Sequence, residues 1–471
     1  MSKRSGPYPL VRVDTAAVPA VAHAGGVLLT RTATTSGLVG ALSAALTPWR
    51  KSLARHDPAK VLLDLAISLV LGGDACRDVA LIRSEPGLYG LVASDATISR
   101  TIAALAGDVA AVEKAVAAAR TAARAHVWHR AGTHAPNHAA SATDPLVIDL
   151  DATLITAHSE KENAAATFKH GYGFHPLCAF LDHGKTGTGE PLGMLLRAGN
   201  AGSNTAADHI AVTKTALAAV PGINPSRPGK KVLIRTDGAG GTREFLTFLD
   251  RRGLSYSIGY TLPTSTPQLY ALIPETAWQV ALDADGDVRD GAAVVELTDL
   301  LAAKGLLTGY PAGMRVIVRR ERPHPGAQLS LFEERDGWRY QAFVTNTTTG
   351  QLAFLEARHR AHARVEDRIR HAKDSGLGRF PSREFEINRV WLMLVQIAAD
   401  LTAWTRLLAL TGDAKSLAAC EPKALRYRFL HVPARLTHSA RRRRLRIPES
   451  WPWAAAIVAV FANIAAIPQP A

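Results

Sequence analysis

Residues 147–155, VIDLDATLI, place two acidic side chains in a run that otherwise predicts a buried β-strand. The apolar residues around them and the turn signal Asp144-Pro145 are typical of a core strand in a mixed or parallel sheet. A buried carboxylate loses its hydration unless another group compensates for the loss. Because side chains two apart on a strand point to the same face, Asp149 and Asp151 share one side of the sheet. The stretch predicts that this side faces a cleft, and the geometry does not choose between the two acids.

The hydrophobic period changes near residue 144 and divides the chain into a helical part and a mixed part. Residues from about 37 to 131 contain runs with helical period, such as KVLLDLAISLVL and AVEKAVAAARTAARAHVWHRAG. The small, polar stretch 132–143, GTHAPNHAASAT, predicts a linker. After it, VIDLDATLI, GFHPLCAFLDH, EPLGMLLRAG and KKVLIRTDG predict strands, and DHIAVTKTALAAV predicts a helix before the last strand. This order predicts a mixed α/β domain.

The remaining sequence predicts further strands, a long helical run and an apolar end. LSYSIGYTL, MRVIVRRER and WRYQAFVTN, in the segment 254–348, have strand character, and a helical period runs from about residue 356 to 410. The apolar end that begins at Ala454, AAAIVAVFANIAAI, is shorter than the roughly 20 residues that span a bilayer. We therefore expect a C-terminal helix packed on the body of the protein and no membrane partner.

Basic residues outnumber acidic residues by 55 to 41, and part of the excess lies in two clusters. The formal net charge is +14. The clusters contain Arg358, Arg360, Arg364, Arg368 and Arg370 in one case, and Arg441 to Arg444 with Arg446 in the other. Such clusters displace counterions from phosphates, which predicts a polyanion as the partner. For either cluster taken alone, the alternative is a solvated basic surface.

The segment SDATISRTIAAL predicts a helix that Ser94 or Asp95 caps and that presents Arg100 near its start. Preceded by a helix near residues 74–82, it is similar to the second helix of a helix-turn-helix, which makes Arg100 a candidate DNA-binding residue. An ordinary helical hairpin is the alternative.

The cysteines indicate neither a disulfide framework nor a zinc site. Cys76, Cys178 and Cys420 are odd in number and far apart in the sequence. A reducing cytoplasm is the simplest compartment for such a chain. The N-terminal residues show no apolar core of a signal peptide.

Two further acids join the pair in VIDLDATLI as candidate site residues. Asp237 ends a predicted strand in VLIRTDGAGGTREFL, where α/β sheets place ligand sites; a turn or helix cap is the alternative. Glu366 lies on a predicted helix in ARVEDRIRHAKDSGLG, where a salt-bridged exposed helix is the alternative. Together, strand-end and helix carboxylates in a basic chain match what phosphoryl transfer with two Mg²⁺ ions requires.

The order VIDLDATL, VLIRTDGAGG and RVEDRIRHAKDSGL resembles the DDE transposases of bacterial insertion sequences, most closely the insertion sequence 1380 family. The resemblance implies that the catalytic, metal-binding acids are Asp151, Asp237 and Glu366, because Asp151 directly precedes Ala-Thr as the first acid does in that family. Related transposases carry a Tyr-Arg-Glu-Lys signature, whose Lys is here Lys373. His359 and His362 stand at its Tyr and Arg positions, which makes the match partial.

The same resemblance implies a fold and a set of partners. The fold is an α/β RNase H-like catalytic domain with an all-β insertion, plus an α-helical N-terminal DNA-binding region and a helical C-terminal region. The predicted domains are a helical DNA-binding region (1–131), a linker (132–143), the first part of the core (144–253), the insertion (254–348), the second part of the core (349–415) and a basic C-terminal region (416–471). The partners are Mg²⁺, which Mn²⁺ replaces, the terminal inverted repeats, target DNA and a second copy of the chain, in a bacterial cytoplasm at the nucleoid.

The candidate DNA-binding residues are Lys373, Arg364, Arg370 and Arg100. Lys373 would bind a phosphate near the scissile bond, and neighbouring arginines would replace the signature's missing Arg. Two alternatives to a transposase stay open. One is a DNA-binding relic or regulator without catalysis, and the other is an RNase H-like nuclease without strand transfer, since the metal chemistry is shared.

Overall fold

The first part of the chain is helical in the computed structural model, which describes residues 19–185, 188–262, 266–439 and 442–468. After strand β1 (Ala20–Val21) come the helices α1 (Val27–Thr35), α2 (Leu38–Ala45), α3 (Pro58–Val70), α4 (Ala80–Arg83), α5 (Pro86–Tyr89), α6 (Asp95–Ala106) and α7 (Val109–Ala131). Helix α6 begins as predicted, because Ser94 Oγ accepts a hydrogen bond from Thr97 N at 3.4 Å. Where one helix was expected near 74–82, a 3-10 turn (Cys76–Val79) precedes the short α4.

The middle of the chain supplies a central sheet. Its elements in chain order are β2 (Leu146–Ala152), β3 (Ile155–Thr156), β4 (Ala165–Ala166), β5 (Tyr172–Phe174), β6 (Leu177–Asp182), β7 (Gly189–Leu195), α8 (Ala206–Ala218), β8 (Val232–Thr236), α9 (Arg243–Arg251) and β9 (Ser255–Tyr260). Each strand predicted from VIDLDATLI, GFHPLCAFLDH, EPLGMLLRAG and KKVLIRTDG is present, and so is the helix from DHIAVTKTALAAV. The predicted mixed α/β architecture is therefore confirmed.

The rest of the chain extends this sheet and then covers it. The further elements are α10 (Pro267–Tyr270), β10 (Gln279–Leu282), β11 (Val288–Glu296), α11 (Thr298–Ala303), β12 (Arg315–Glu321), α12 (Leu331–Asp336), β13 (Arg339–Thr345), α13 (Leu352–Arg360), α14 (Arg364–Ala372), α15 (Phe385–Ala409), α16 (Lys415–Ala418), α17 (Pro422–Leu425), β14 (Ala434–Ser439), β15 (Arg442–Arg446) and α18 (Ala454–Ala466). Helix α14 packs on β2 and β6, and α8 packs on β6 and β7.

The strands of the central sheet run in the order β10-β11-β12-β13-β9-β8-β2-β6-β7. Strands β2, β8 and β9 are parallel neighbours, while the other neighbouring pairs are antiparallel. In the β2–β8 pair, Leu150 lies opposite Thr236. The carboxyl ends of these two strands therefore meet at the same edge of the sheet, which is where α/β sheets place their ligand sites.

The segment 254–348 differs from the predicted all-β insertion in two respects. It contains the helices α10, α11 and α12 as well as strands. Its strands are also not a separate unit: β9 pairs with β8 inside the central sheet, and β13 pairs with β9. The strands of this segment therefore continue the central sheet beyond β9. This arrangement covers the edge that β9 would otherwise expose.

The C-terminal region is not wholly helical, contrary to the prediction. Residues 434–446 form the antiparallel pair β14–β15, and β14 pairs with β1 near the start of the described chain. Alternating side chains in ARLTHS favour a strand, which the basic composition of the region obscures. The predicted C-terminal helix is present as α18, whose Ile457, Val460 and Ile464 are buried.

Helix α15 is the central helix of the core. Among the described residues it alone is long and apolar enough to span a membrane by composition, and 89% of its apolar window is buried inside the protein. It packs against α3, α7 and β7. The fully buried side chains of Trp391 and Trp404 are its largest contributions to the core.

A buried ionic cluster joins α7, β7 and α15. Arg124 donates to Glu190 at 2.6 Å and to Asp400 at 2.8 Å, while Arg120 donates to Asp400 at 2.6 Å. The indole of Trp404 donates to Glu190 at 2.9 Å. Burial alone would raise the pKa of Glu190, but the hydrogen-bond donors and positive charges around it hold that pKa well below its usual range. The cluster therefore holds its charges in the interior through mutual pairing.

Replacing Arg124 by Gln is expected to destabilise the protein by about 3 to 5 kcal/mol, because Glu190 and Asp400 would keep buried charge without this partner. Urea unfolding measures the change in the free energy of unfolding. Arg130→Gln is the matched control, since Arg130 is an exposed residue of the same helix. Equal stability of the two variants would contradict a structural role for the cluster.

Candidate active site

Two acids lie side by side at the carboxyl edge of the central sheet. Asp151 is the next-to-last residue of β2, and Asp237 directly follows the last residue of β8. Leu150 is paired with Thr236 in the parallel register, and the next residue along the chain after each of them is one of these acids. Asp151 is partly buried, whereas Asp237 is exposed.

A tight turn holds Asp237 in place. Its carboxylate caps the 3-10 turn Gly238–Gly240, accepting a hydrogen bond from Ala239 N at 3.0 Å. The turn also packs closely on β9, since a Cβ atom added to Gly259 would lie 2.5 Å from Gly238 N. A glycine is thus required on the neighbouring strand for the turn to take this position. The cap, which was the alternative interpretation of Asp237, is therefore present, and the same carboxylate stays a candidate site residue.

The third acid, Glu366, comes from α14, the helix that packs across β2 and β6. Its side chain is exposed. Burial and, to a smaller extent, the negative charges of Asp237 and Glu366 together raise the pKa of Asp151 to about 6, against the opposing effect of His362. Two carboxylates repel a third only when they are close to it. The structure thus brings the three predicted acids together around Asp151.

Asp149 has a different role from Asp151, although both project from the same strand. Arg235 Nε and Nη2 donate to its two carboxylate oxygens at 2.5 and 2.7 Å. His362 Nδ1 lies 2.9 Å from Asp149 Oδ1. Burial alone would raise the pKa of Asp149, but Arg235 and His362 lower it to about 2. Asp149 is therefore a permanently charged partner in a buried ion pair and does not face an open cleft.

The ion pair continues through Asp182, at the end of β6. Arg235 Nη2 lies 3.0 Å from Asp182 Oδ2, Arg364 Nε lies 3.3 Å from the same atom, and Arg368 Nη2 lies 3.5 Å from Asp182 Oδ1. Arg364, a predicted DNA-binding residue, is thus engaged within the chain. The network fixes α14, and with it Glu366, to the strands that carry the other two acids.

Both histidines at the signature positions contact the sheet. His362 contacts Asp149 and lowers the pKa of Asp151. His359 stacks on Phe343 with ring centroids 4.4 Å apart and lies 3.0 Å from Ser257 Oγ. Burial lowers the pKa of His359 well below its ordinary value, so this ring is neutral. His362 therefore supplies the polar contact at the site, while His359 packs in the core.

Lys373 lies beside Asp151. Its ammonium group donates to Leu154 O at 3.3 Å, in the loop that follows β2. Burial lowers the pKa of Lys373, and the nearby Cys178 and Asp151 oppose this lowering. Lys373 also lines a cleft of about 590 Å³ together with Lys161 and Arg379. Lys373 therefore links Asp151 to a cleft that carries basic side chains.

The two other predicted DNA-binding residues are both exposed but differ in their contacts. Arg370 pairs with Asp367 at 2.7 Å and with Glu421 at 2.6 Å. Arg100 lies on the exposed side of α6. Their DNA contacts stay predictions.

The donor set fits divalent ions shared between carboxylates. In the part of the chain that the structure describes, no three His, Cys, Asp or Glu side chains converge as ligands of a single ion. A Mg²⁺ ion needs only one or two protein carboxylates, because it keeps waters and substrate phosphate oxygens as its other ligands. Burial is the main cause of the raised pKa of Asp151, and the charges of Asp237 and Glu366 add to it; a bound cation would favour the ionised carboxylate against both effects.

Sequence reasoning missed Arg235 and Asp182. A signal for both was present, because an arginine within the apolar run VLIRTD and an acid at the end of CAFLDH need charged partners when buried. Asp149 is the acid that pairs with Arg235, which also explains why VIDLDATLI contains two acids.

Two strand-end aspartates and a helix glutamate, with a lysine about two turns after the glutamate, are the residue types in the chain order that a DDE transposase requires. The chain matches the family model "Transposase DDE domain group 1" over residues 4–469, and it belongs to that family. This membership confirms the DDE transposase family predicted from the sequence. The narrower assignment to the insertion sequence 1380 family stays a prediction.

One solved structure similar to this chain is the cryo-EM structure of the piggyBac transposase synaptic complex with hairpin DNA. The two chains are 10% identical, the match covers 85% of this chain and 79% of that chain, and the TM-score is 0.41. No curated protein matches the chain.

Replacing Asp151 by Asn is expected to stabilise the protein above about pH 6, by about 1 to 3 kcal/mol. The folded-state pKa of Asp151, about 6, lies above the ordinary value of 3.8, so its ionised form opposes folding, and the gain disappears below about pH 4. Urea unfolding at a series of pH values measures the effect.

Asp149→Asn is the matched comparison and is expected to have the opposite sign. The pKa of Asp149, about 2, lies below the ordinary value, so its charge stabilises the fold above about pH 4. Its loss would leave Arg235 buried without this partner and cost about 3 to 5 kcal/mol. If both variants shift stability in the same direction, the division of roles between the two acids is wrong.

Proposed function

We propose that this chain is the transposase of a bacterial insertion sequence, most like those of the insertion sequence 1380 family, with an RNase H-like catalytic core. It binds the terminal inverted repeats of its element as a homodimer, cleaves the DNA and joins the freed 3′-hydroxyl to target DNA by cut-and-paste transposition. It acts in the bacterial cytoplasm, at the nucleoid. Membership of the DDE transposase family and the order of the strands β7-β6-β2-β8-β9 support this proposal.

The observation that carries the proposal is that Asp151 and Asp237 come at the carboxyl ends of neighbouring parallel strands, with Glu366 near enough for its charge to act on Asp151. Asp151 holds a pKa of about 6 partly because Asp237 and Glu366 lie near it. Structural carboxylates in this chain are instead paired with arginine, as Asp149 is. A buried carboxylate with a raised pKa and further acids near it, at the edge of a sheet, is typical of a functional site.

The residues Asp151, Asp237 and Glu366 would hold the Mg²⁺ ions, which Mn²⁺ replaces. Bound ions of this kind supply Lewis-acid activation of the attacking oxygen and stabilisation of the leaving oxygen. Asp151 must lose its carboxyl proton before it can serve as a ligand. The Asp149–Arg235 pair holds β2 and β8 in register, and Lys373 positions a phosphate beside Asp151.

Replacing Asp151, Asp237 or Glu366 by Ala is expected to lower DNA cleavage by about 10²-fold or more, because each removes a ligand needed in the transition state. Binding to transposon ends should stay nearly intact. The measurement is cleavage and strand transfer on a labelled duplex that carries the terminal repeat, with Mg²⁺ or with a chelator.

Asp367→Ala is the matched control, because Asp367 is an exposed acid beside Glu366 that pairs with Arg370. This variant should cleave like the wild type. Wild-type cleavage by any one of the three acid variants would remove that residue from the site. Cleaved products that are never joined to a second duplex would favour an RNase H-like nuclease, and binding without cleavage under any metal would favour a relic.

Replacing Lys373 by Gln is expected to lower the slope of log Kd against log salt by about 1, because one phosphate contact is lost. Fluorescence anisotropy with the same duplex measures the slope. Lys423→Gln is the control, since Lys423 is exposed and pairs with Asp374 on the chain itself. An unchanged slope for Lys373→Gln would show that this lysine does not contact DNA.

A further inference from the structure

The strands β14 and β15 form a two-stranded ribbon whose two faces differ in chemistry. Cross-strand partners share a face, and the register pairs Arg435 with Arg446, Thr437 with Arg444, and Ser439 with Arg442. We call this face, which consists of these six residues, the arginine face. Its four arginines are exposed. The opposite face carries the pair Leu436–Leu445.

The leucine face is the one that packs on the protein. Leu436 lies against α5, where a Cβ atom added to Gly87 would be 2.7 Å from Leu436 Cδ2. Arg443, which also lies on this face, donates to Gly87 O at 3.0 Å. In addition, β14 pairs with β1. The ribbon is therefore fixed against the helical N-terminal part, with the arginine face directed away from the contact.

The charge on the arginine face is not balanced within the described part of the chain. None of its four arginines lies within salt-bridge distance of a described carboxylate, in contrast to Arg364, Arg368 and Arg370. The segment 431–447 contains no acidic residue. Like charges directly opposite each other on neighbouring strands, as in Arg435–Arg446, destabilise a sheet unless an anion lies between them.

We propose that the arginine face binds duplex DNA, as a contact separate from the site of the three acids. A two-stranded ribbon fits the major groove, which is about 12 Å wide. Side chains on one face of a strand repeat every ~6.8 Å, which equals two steps of ~3.4 Å along one DNA strand. The proposal rests on the proposed function, since it assigns one surface through which the transposase holds its DNA.

The position of the ribbon supports this assignment. Residues 90–94 connect α5, on which the ribbon packs, to α6, which carries the exposed Arg100. The ribbon and the helix-turn-helix-like segment are thus anchored on the same short stretch of chain. A DNA duplex held by the arginine face would lie next to the N-terminal helices predicted to bind DNA.

The test is a variant of the full chain in which Arg435, Arg442, Arg444 and Arg446 are all replaced by Gln. Binding to a labelled duplex of mixed sequence should weaken at least about tenfold, and the slope of log Kd against log salt should fall by about 3 to 4, because each phosphate contact contributes about 0.9. Replacing the same four residues by Lys should keep most of the slope. An unchanged slope in the Gln variant would overturn the proposal.

A matched control removes the same charge from other exposed positions, Arg227, Lys231, Arg251 and Lys304, each replaced by Gln. This variant should change the slope by less than about 1. An equal loss in the control would show that net charge matters and the ribbon does not. The proposal would also be overturned if the four-Gln variant lost as much binding to single-stranded DNA as to duplex DNA. The same holds if this variant lost binding to phosphatidylglycerol vesicles only.

The outcome can be separated from that of the catalytic proposal. If the ribbon variant binds duplex DNA like the wild type while the acid variants lose cleavage, the proposal for the arginine face is wrong and the proposed transposase function is supported. If the ribbon variant loses duplex binding but the wild type does not cleave DNA with any metal, the proposal for the arginine face is supported and the proposed catalytic function is wrong.

Discussion

The ion pair between Asp149 and Arg235 is the interaction on which the candidate site depends. It joins two parallel strands, two residues before the acid that each strand brings to the edge of the sheet. A bidentate pair of this kind fixes distance and register together, since both carboxylate oxygens are engaged. It also explains how two acids on one strand come to differ, with a pKa of about 2 for Asp149 and about 6 for Asp151. Asp149 joins the two strands, and Asp151 has no arginine partner of this kind among the described residues.

The sequence predicted local structure and the three acids better than it predicted pairing. Strands and helices with clear periods formed where expected, because period 2 or 3.6 is a property of neighbouring residues. The pairing of β9 and β13 was not foreseen, since it depends on contacts between residues far apart in the chain. For the same reason the period could not show that Asp149 would meet Arg235 on another strand.

The two arginine clusters found in the sequence lie in different environments in the structure. The cluster that contains Arg364 and Arg368 is drawn inward, where Asp182 is the shared partner. The C-terminal cluster stays at the surface on a ribbon whose apolar face is covered. Composition cannot distinguish the two cases, because whether an arginine is free for a ligand depends on acids supplied from elsewhere in the fold. The alternation of Leu436 with polar residues was the local sign that one face would be exposed.

Helices from the first and last thirds of the described chain are joined to the central sheet by buried ion pairs. Helix α15 carries Asp400, which binds Arg120 and Arg124 of α7, while β7 contributes Glu190 to the same cluster. The cluster therefore ties the N-terminal helices to the edge of the sheet opposite the added strands. Because β14 then pairs with β1, the ribbon is anchored to a body whose charged interior is already fully paired at these residues. DNA held at the ribbon would thus be held relative to Asp151 through the body of the protein, and a displacement of the ribbon would require breaking its contacts with β1 and α5.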